Sequence, residues 1–468
     1  MRLTKIVASI SDLNCDVEFI QKLFDAGMNV ARINTAHITT ETALTVIQNI
    51  RKVSNKIAIL IDTKGPEVRT QQVTEPIVVK KGDMLLVSGQ FQQSKNNQLL
   101  VSYAHIHEML VPGNRILIDD GDIELTVVSN QQHLECRVEN DGIIKNNKSL
   151  NVPGVTFELP SVTEKDRHFI LFAIEQKLDF IAHSFVRNKK DVLEVQQILD
   201  NHNSPIKIIA KIENLDGVNN IDEILDKAYG IMIARGDLGI EIAAEKLPGI
   251  QRNLIRKAIE RMRPVIVATQ MLHSMIEHPR PTRAEVSDIA NAVFSRTDAL
   301  MLSGETAYGK FPVEAVKTMA RIARETEISY DNRNDVTKPV LKNDIQAYLA
   351  EAAIKASNEL PVSSIIATTT TGKTSRYLAS FRGSCPVFAK CHSMRVVREM
   401  ALSYGVFPSF LEIKKNKFKI EKAAISSLLA SHSIDRDDLI IYVGGRFGDD
   451  AGASFIEIST VDKFKVEP

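Results

Sequence analysis

Eight short β-branched runs punctuate the chain, each followed by a helical pattern, and this alternation leaves few folds open. The runs are Lys5–Ile10, Asn29–Asn34, Lys56–Asp62, Asp179–Phe185, Ile206–Ile212, Gly230–Ala234, Pro264–Thr269 and Ala299–Leu302. Asp16–Ala26, Thr40–Val53, Lys189–Asn201 and Glu245–Arg261 exemplify the helical segments. Apolar runs of this kind suit strands buried on both faces, with a helix after each one as cover. Eight βα units predict an α/β fold of the (β/α)8 TIM-barrel type, with the active site at the C-terminal ends of the strands. A doubly wound open sheet is the alternative; it usually needs fewer strands and carries its glycine fingerprint early.

One insertion breaks the alternation. From Glu67 to Pro160 the strand-like runs Pro76–Val79, Met84–Ser88, Arg115–Ile118, Glu124–Val128 and Glu135–Val138 are separated by Gly-Asp, Pro-Gly, Asp-Gly and Asn-Asp-Gly turns. This is the pattern of a small all-β module grafted onto a barrel loop, where a lid would sit. Asn332-Arg333-Asn334-Asp335 and Lys338-Pro339 mark a polar linker. After it come a helix, Ile345–Glu359, and the runs Ser364–Thr368, Val387–Ala389, Leu439–Val443 and Phe455–Ile458. The expected division is a barrel from 1–66 and 161–335, an inserted β domain from 67–160 and a C-terminal α/β domain from 336–468.

Composition excludes partners and leaves the chemistry open. In 468 residues, 58 Lys and Arg balance 58 Asp and Glu, which argues against general nucleic-acid or anionic-membrane binding. No run approaches the ~18–20 apolar residues of a membrane span, and a strand pattern begins at Lys5, leaving no room for a signal peptide. Cys15, Cys136, Cys385 and Cys391 are scattered, as expected of reduced thiols in a cytoplasmic protein.

The strand ends carry the chemistry. Run two closes with Arg32-Ile33-Asn34 and is followed by His37; run three closes with Asp62-Thr63-Lys64-Gly65-Pro66-Glu67-Val68-Arg69. Later ends give Ser184-Phe185-Val186-Arg187, Lys211-Ile212-Glu213, Arg235-Gly236-Asp237, Thr269-Gln270 and Ser303-Gly304-Glu305. Charges from several strands meeting on one rim are costly to desolvate unless they meet a ligand or metal. Lys211 and Glu213 share a face of one strand. Glu213 and Asp237, from neighbouring ends, offer two carboxylates to a divalent ion, with Mg²⁺ completing its shell from water and substrate; a bare Lys–Glu ion pair is the alternative. Gly236-Asp237-Leu238-Gly239 offers backbone N–H groups to a carboxylate or phosphate, although such a sequence is usually just a turn. The rim therefore predicts an anionic, phosphorylated substrate held by Arg32, Lys211 and a metal.

These stretches resemble the pyruvate kinase family in its own order. The resemblance rests on Asp62–Thr70, Lys211-Ile212-Glu213-Asn214, Met232–Gly239, Ala268–Leu272, Pro279–Val286 and Met301–Ala307, and extends across the whole chain. It implies a catalytic barrel, a mobile lid and a regulatory C-terminal domain, assembled as a homotetramer, with phosphoenolpyruvate and ADP as substrates. By motif it assigns catalysis to Arg32, Lys211 and Thr269, and substrate binding to those three with Ser184, Gly236 and Asp237. It assigns Mg²⁺ or Mn²⁺ to Glu213 and Asp237, K⁺ to Asn34, Asp62 and the Thr63 carbonyl, and the nucleotide side to Asn34, His37, Arg69 and Lys148. A non-catalytic phosphometabolite sensor and another phosphoenolpyruvate-binding barrel, a lyase or aldolase, are the competing classes.

The chain also departs from the family. Asn34-Thr35-Ala36-His37-Ile38 stands where the family usually has Asn-Phe-Ser-His-Gly, so Ala36 removes a hydroxyl from the K⁺ site. Glu67, which resembles the K⁺-dependent members, still predicts a K⁺ requirement, and a raised one. Ser9-Ile10-Ser11-Asp12 and Tyr308 alter the nucleotide side. In the C-terminal domain, Ala367 replaces the first glycine of a P-loop, so Thr370-Thr371-Gly372-Lys373-Thr374 reads instead as a phosphate cradle. It resembles the family's sugar-phosphate effector loop, with Arg446 facing it. Asp449 and Asp450 beside Arg446 repel a second phosphate, so a monophosphate effector, or none, is expected.

Overall fold

The computed structural model describes residues 1–329, 339–341, 344–413, 417–445 and 452–464. Eight parallel strands close into a barrel: β1 Lys5–Ser9, β2 Val30–Asn34, β3 Ala58–Asp62, β4 Phe180–His183, β5 Lys207–Ile212, β6 Gly230–Ala234, β7 Val265–Ala268 and β8 Ala299–Leu302. Each pairs with its sequence neighbours, and β1 pairs with β8 from Lys5 opposite Ala299 to Ala8 opposite Leu302. Because side chains alternate across a strand, each strand feeds two layers. Val7, Val30, Leu60, Phe180, Ile209 and Met232 fill the barrel, while Ile6, Ile33, Ile61, Ile181 and Ile208 pack beneath the helices.

Local sequence sets the helix boundaries. Asp16 caps Val17–Ala26 by accepting from Phe19 N–H, and Gly27 closes that helix at φ 117°. Thr39, Thr163 and Thr282 each start a helix through a reciprocal capping box.

The insertion between β3 and the helix Glu164–Glu175 is a second closed sheet of seven strands, running from Val68–Gln71 to Ser149–Asn151. Its own core includes Val87, Leu99, Ile116, Ile118 and Leu125. The C-terminal sheet has the order Val406–Phe410, Val387–Cys391, Val362–Thr369, Leu439–Gly445, Ala453–Thr460; only the last strand is antiparallel. Among the described residues no helix is long and apolar enough to cross a membrane.

Two carboxylates below the barrel latch this C-terminal sheet in place. Asp298, just before β8, takes Arg376 at 2.6 Å, Arg382 at 2.5 and 2.9 Å, and the N–H groups of Tyr404 and Val265. Asp179, just before β4, takes Arg51, Arg398 and the Ile59 N–H. Ala401 and Leu402 complete the seal by packing with the barrel's interior side chains.

Candidate active site

The C-terminal rim of the barrel gathers one compact charge cluster. Lys211, near the end of β5, directs its three N–H donors at Ser184 Oγ (2.7 Å), Asp62 Oδ1 (3.0 Å) and Glu213 Oε1 (2.9 Å). Burial works against its charge, but Asp62 and Glu213 outweigh burial and hold the ammonium above its ordinary pKa. Asp62 closes β3 and also takes Arg32 Nε at 2.6 Å, while Arg32 Nη1 donates to Ser9 Oγ at 2.9 Å. Burial pushes the Asp62 carboxyl up, and Lys211 and Arg32 together pull it below the usual carboxylate value. Two bonds fix the Arg32 guanidinium plane, and Lys211 and Asp62 each favour the other's charged form out of water.

Glu213 is buried and takes the Phe185 N–H at 2.7 Å. Burial pushes its carboxyl up to about 7 against the pull of Lys211, with Asp237 and Asp62 adding repulsion. Asp237, on the short helix Arg235–Glu241, is raised in the same way, chiefly by burial. Two adjoining carboxylates, both pushed upward chiefly by burial, fit a divalent cation. Among the described residues no group of three or more His, Cys, Asp or Glu could hold a metal. Two carboxylates completed by water and substrate oxygens are the habit of Mg²⁺.

A second cluster joins β6 and β7. Thr269 has φ 67°, unusual for a β-branched residue, and Gln270 follows at φ 54°. This places the Thr269 hydroxyl between the Ala268 carbonyl (2.6 Å) and the Gly236 N–H (2.8 Å). The Gly236 N–H is thus engaged by Thr269, where the sequence suggested a free donor. Arg235 locks the arrangement by donating to the Thr269 carbonyl at 2.7 Å and to both oxygens of Asp288.

The cation-site candidates adjoin the first cluster. The Thr63 carbonyl takes the Ser184 hydroxyl at 2.6 Å, and Asn34 Oδ1 takes the Ala36 N–H at 3.1 Å. These two oxygens and Asp62 each accept a protein donor here, and the side chain of Ala36 adds no oxygen beside them. His37 lies exposed in the loop after β2. In the inserted domain Arg69 lies on the strand Val68–Gln71 opposite Ser149, and Lys148 immediately precedes the paired strand Ser149–Asn151 with its N–H on Thr70 Oγ1 at 2.8 Å. Each is held by a carboxylate of that domain, Arg69 by Glu67 and Lys148 by Asp119 at 2.8 Å. A cleft of about 140 Å³, lined by Glu67, Asn151, Phe185, Glu213 and Asp237 among others, separates this domain from the rim.

A family model described as "Pyruvate kinase, barrel domain" matches residues 1–316, and one described as "Pyruvate kinase, alpha/beta domain" matches 348–459. The chain belongs to the pyruvate kinase family. It is 48% identical to a pyruvate kinase of Borreliella burgdorferi over 98% of both chains. It is 42% identical to that of Geobacillus stearothermophilus, over 95% of this chain and 78% of the relative. A crystal structure of a pyruvate kinase from Cryptosporidium parvum superposes with a TM-score of 0.92 at 35% identity, covering 98% of this chain and 96% of that one. The barrel with its C-terminal α/β domain and the identity as a phosphotransferase follow from this membership.

In the C-terminal domain the cradle has the expected strand–loop–helix form, between Val362–Thr369 and Lys373–Ser380. Gly372 turns at φ 84° with its N–H on Thr369 Oγ1 (2.9 Å), and Lys373 Nζ pairs with Asp344 at 3.0 Å. Arg446, Asp449 and Asp450 lie outside the described residues. Three residues quoted among the strand ends were given no role by the sequence. Phe185 takes φ 53° to aim its N–H at Glu213, Arg235 braces Thr269, and Glu305 takes the Leu272 and Ser303 N–H groups as a loop brace. A bulky residue at positive φ leaves no mark in sequence; the strand-end charge of Arg235 and Glu305 does, but their partners do not.

Proposed function

We propose that this rim moves the phosphoryl group of phosphoenolpyruvate to ADP, yielding pyruvate and ATP, as a glycolytic step in the cytoplasm. The observation that carries the reading is the saturated Lys211 ammonium beside Arg32, a fixed positive charge at the mouth of the barrel. In the reaction the enol C–O–P linkage breaks at phosphorus and a terminal ADP oxygen forms the new P–O bond. The enolate left behind gains a proton at carbon.

Arg32 and Lys211 hold the phosphoryl oxygens, and a phosphoryl oxygen replaces Ser184 Oγ as one of the acceptors on Lys211. Lys211 then stays beside the enolate oxygen as charge moves there, an electrostatic contribution that costs no reorganisation. The first turn of helix Arg235–Glu241 and Thr269 receive the substrate carboxylate, and Thr269 lies on the proton path to the enolate. Glu213 and Asp237 would hold Mg²⁺ or Mn²⁺, which when bound neutralises phosphoryl and enolate oxygens. Asn34, Asp62 and the Thr63 carbonyl would hold K⁺ with a water in place of the hydroxyl missing at Ala36. Asn34, His37, Arg69 and Lys148 serve the nucleotide, with residues 67–160 as the lid that excludes water. The cradle Thr370–Thr374 is built for a monophosphate effector, if the chain has an effector at all, and the chain works as a homotetramer.

A coupled assay of pyruvate formation tests this, with arms that omit ADP, Mg²⁺, or K⁺ and Na⁺ together. Turnover is expected only when all are present. Phosphoenolpyruvate consumption without ADP would point to a lyase, and binding without turnover to a sensor. Full activity without monovalent cations would remove the K⁺ assignment.

A further inference from the structure

The inserted domain leaves the barrel through Thr63-Lys64-Gly65 and returns through Ser161-Val162-Thr163. Both crossings meet at one fully buried carboxylate, Asp166, in the first turn of helix Glu164–Glu175. Its Oδ2 accepts the Thr163 hydroxyl at 2.6 Å and the Thr163 N–H at 3.2 Å. Its Oδ1 accepts the Lys64 N–H at 2.9 Å and the Gly65 N–H at 3.4 Å. The Thr163 pair is an ordinary capping box and explains the helix start. The other pair comes from residues 102 and 101 positions away and plays no part in that helix.

The loop held by Asp166 is packed directly on the active site. Gly65 has φ 73°, and a Cβ there would lie 2.7 Å from both the Phe185 ring and Ser184 Cβ. Ser184 is the hydroxyl partner of Lys211, and Phe185 donates its N–H to Glu213. On the return side Arg187, oriented by Asp191, donates to the carbonyls of Phe157 (3.3 Å) and Leu159 (3.1 Å). Beyond these ties Gly154 turns at φ 81°, where an added Cβ would meet nothing within 4 Å.

We propose that Asp166 is a positioning residue for phosphoryl transfer, a pin that fixes the barrel ends of both crossings so that the inserted domain returns Arg69 and Lys148 to one place over the rim. The inference rests on the function proposed above. Ser184 and Phe185, although packed on Gly65, are held by the barrel through Lys211 and Glu213, whereas Arg69 and Lys148 reach the rim only through the two crossings, so loosening the pin loosens the ADP side. Bending of the hinge falls outside the pin, at Pro66–Glu67 and around Gly154.

Asp166→Asn keeps an acceptor for one crossing and turns an NH₂ toward the donors of the other. Thr163→Ala removes one tie, and Thr163→Ser restores it. In the coupled assay, Asp166→Asn and Thr163→Ala are expected to raise the KM for ADP about fivefold or more with the KM for phosphoenolpyruvate within about twofold, and Thr163→Ser to restore the wild-type value. Hydrogen exchange at the Lys64, Gly65 and Thr163 amides should accelerate together in Asp166→Asn. Equal rises in both KM values, unchanged KM values in folded protein, or faster exchange at one crossing alone would overturn the pin. If Asp166→Asn fails to fold, the Thr163 pair decides. Wild-type protein without ADP-dependent turnover would instead overturn the proposed function, and the exchange data would still judge the pin.

Discussion

Replacing Lys211 by methionine separates what the charge cluster does for stability from what it does for turnover. Methionine nearly matches the length of the side chain and removes all three N–H donors, to Ser184, Asp62 and Glu213. Stripping one partner from a buried ion pair costs about 3–5 kcal/mol when the other charge is left alone. Here Asp62 keeps Arg32 at 2.6 Å, and Glu213, which burial already pushes up to about 7, can take up a proton. The stability loss should therefore fall at the low end, about 3 kcal/mol. For turnover there is no such relief. A single preorganised donor at developing negative charge contributes about 10²–10³ in kcat, and neutralised Glu213 would also weaken the proposed divalent site. The expected fall in kcat is roughly a thousandfold or more, measured by coupled assay at saturating Mg²⁺ with melting curves on the same samples. Lys211→Arg is the control: its guanidinium keeps the charge and should recover the melting temperature, but its flat fork does not reproduce the ammonium's three contacts, so kcat stays low. A folded Lys211→Met enzyme with kcat within about tenfold of wild type would refute the electrostatic argument.

Lys148→Ala frees Asp119 and removes a cation from the inserted domain alone. The KM for ADP should rise by about tenfold while the KM for phosphoenolpyruvate holds; unchanged ADP kinetics would remove Lys148 from the nucleotide side. Asp298 supplies a pH prediction. Burial pushes its carboxyl up, but Arg376 and Arg382 outweigh burial and hold it at about 2 against 3.8 in the unfolded chain. A depressed carboxylate pKa stabilises the fold above the unfolded value, and that stability is lost as pH falls from about 4 through 2. At 1.36 kcal/mol per unit the gap is worth about 2 kcal/mol. Calorimetry of wild type and Asp298→Asn from pH 7 to 2 should show the difference shrinking across that window; a gap independent of pH would contradict it. Asp298→Ala should cost more, about 3–5 kcal/mol at pH 7, because the fully buried Arg382 loses its counter-charge. A loss below about 1 kcal/mol in denaturant titration would show that water reaches the arginine.

What the sequence discloses and what it hides divide along one physical line. The barrel was legible because its strands are apolar on both faces and each is followed by a helical period, and Thr40–Val53, Lys189–Asn201 and Ile345–Glu359 match residue for residue. Arg32, Asp62, Lys211 and Glu213 were legible because a charge at the end of a buried strand is the wrong residue for packing alone. Strands of three or four residues, such as Gly142–Ile144 and Ser149–Asn151, are too short to show a period, and Val406–Phe410 hides behind Pro408, which an edge strand tolerates. Thr269 and Phe185 look like ordinary residues until their backbone takes positive φ. Asp166 is the sharpest case. As the third residue of a capping box it is locally in place, so nothing marks it, and its second pair of donors arrives from residues about a hundred positions away. Asp298 is similar, since Arg376 and Arg382 reach it from 78 and 84 positions along the chain. A residue out of place for its element announces a function; one that fits its element and serves a distant loop as well is found only when the chain is folded. The carboxylates that join one domain to another fall in that second group, because a domain junction is where a locally ordinary side chain meets sequence from elsewhere.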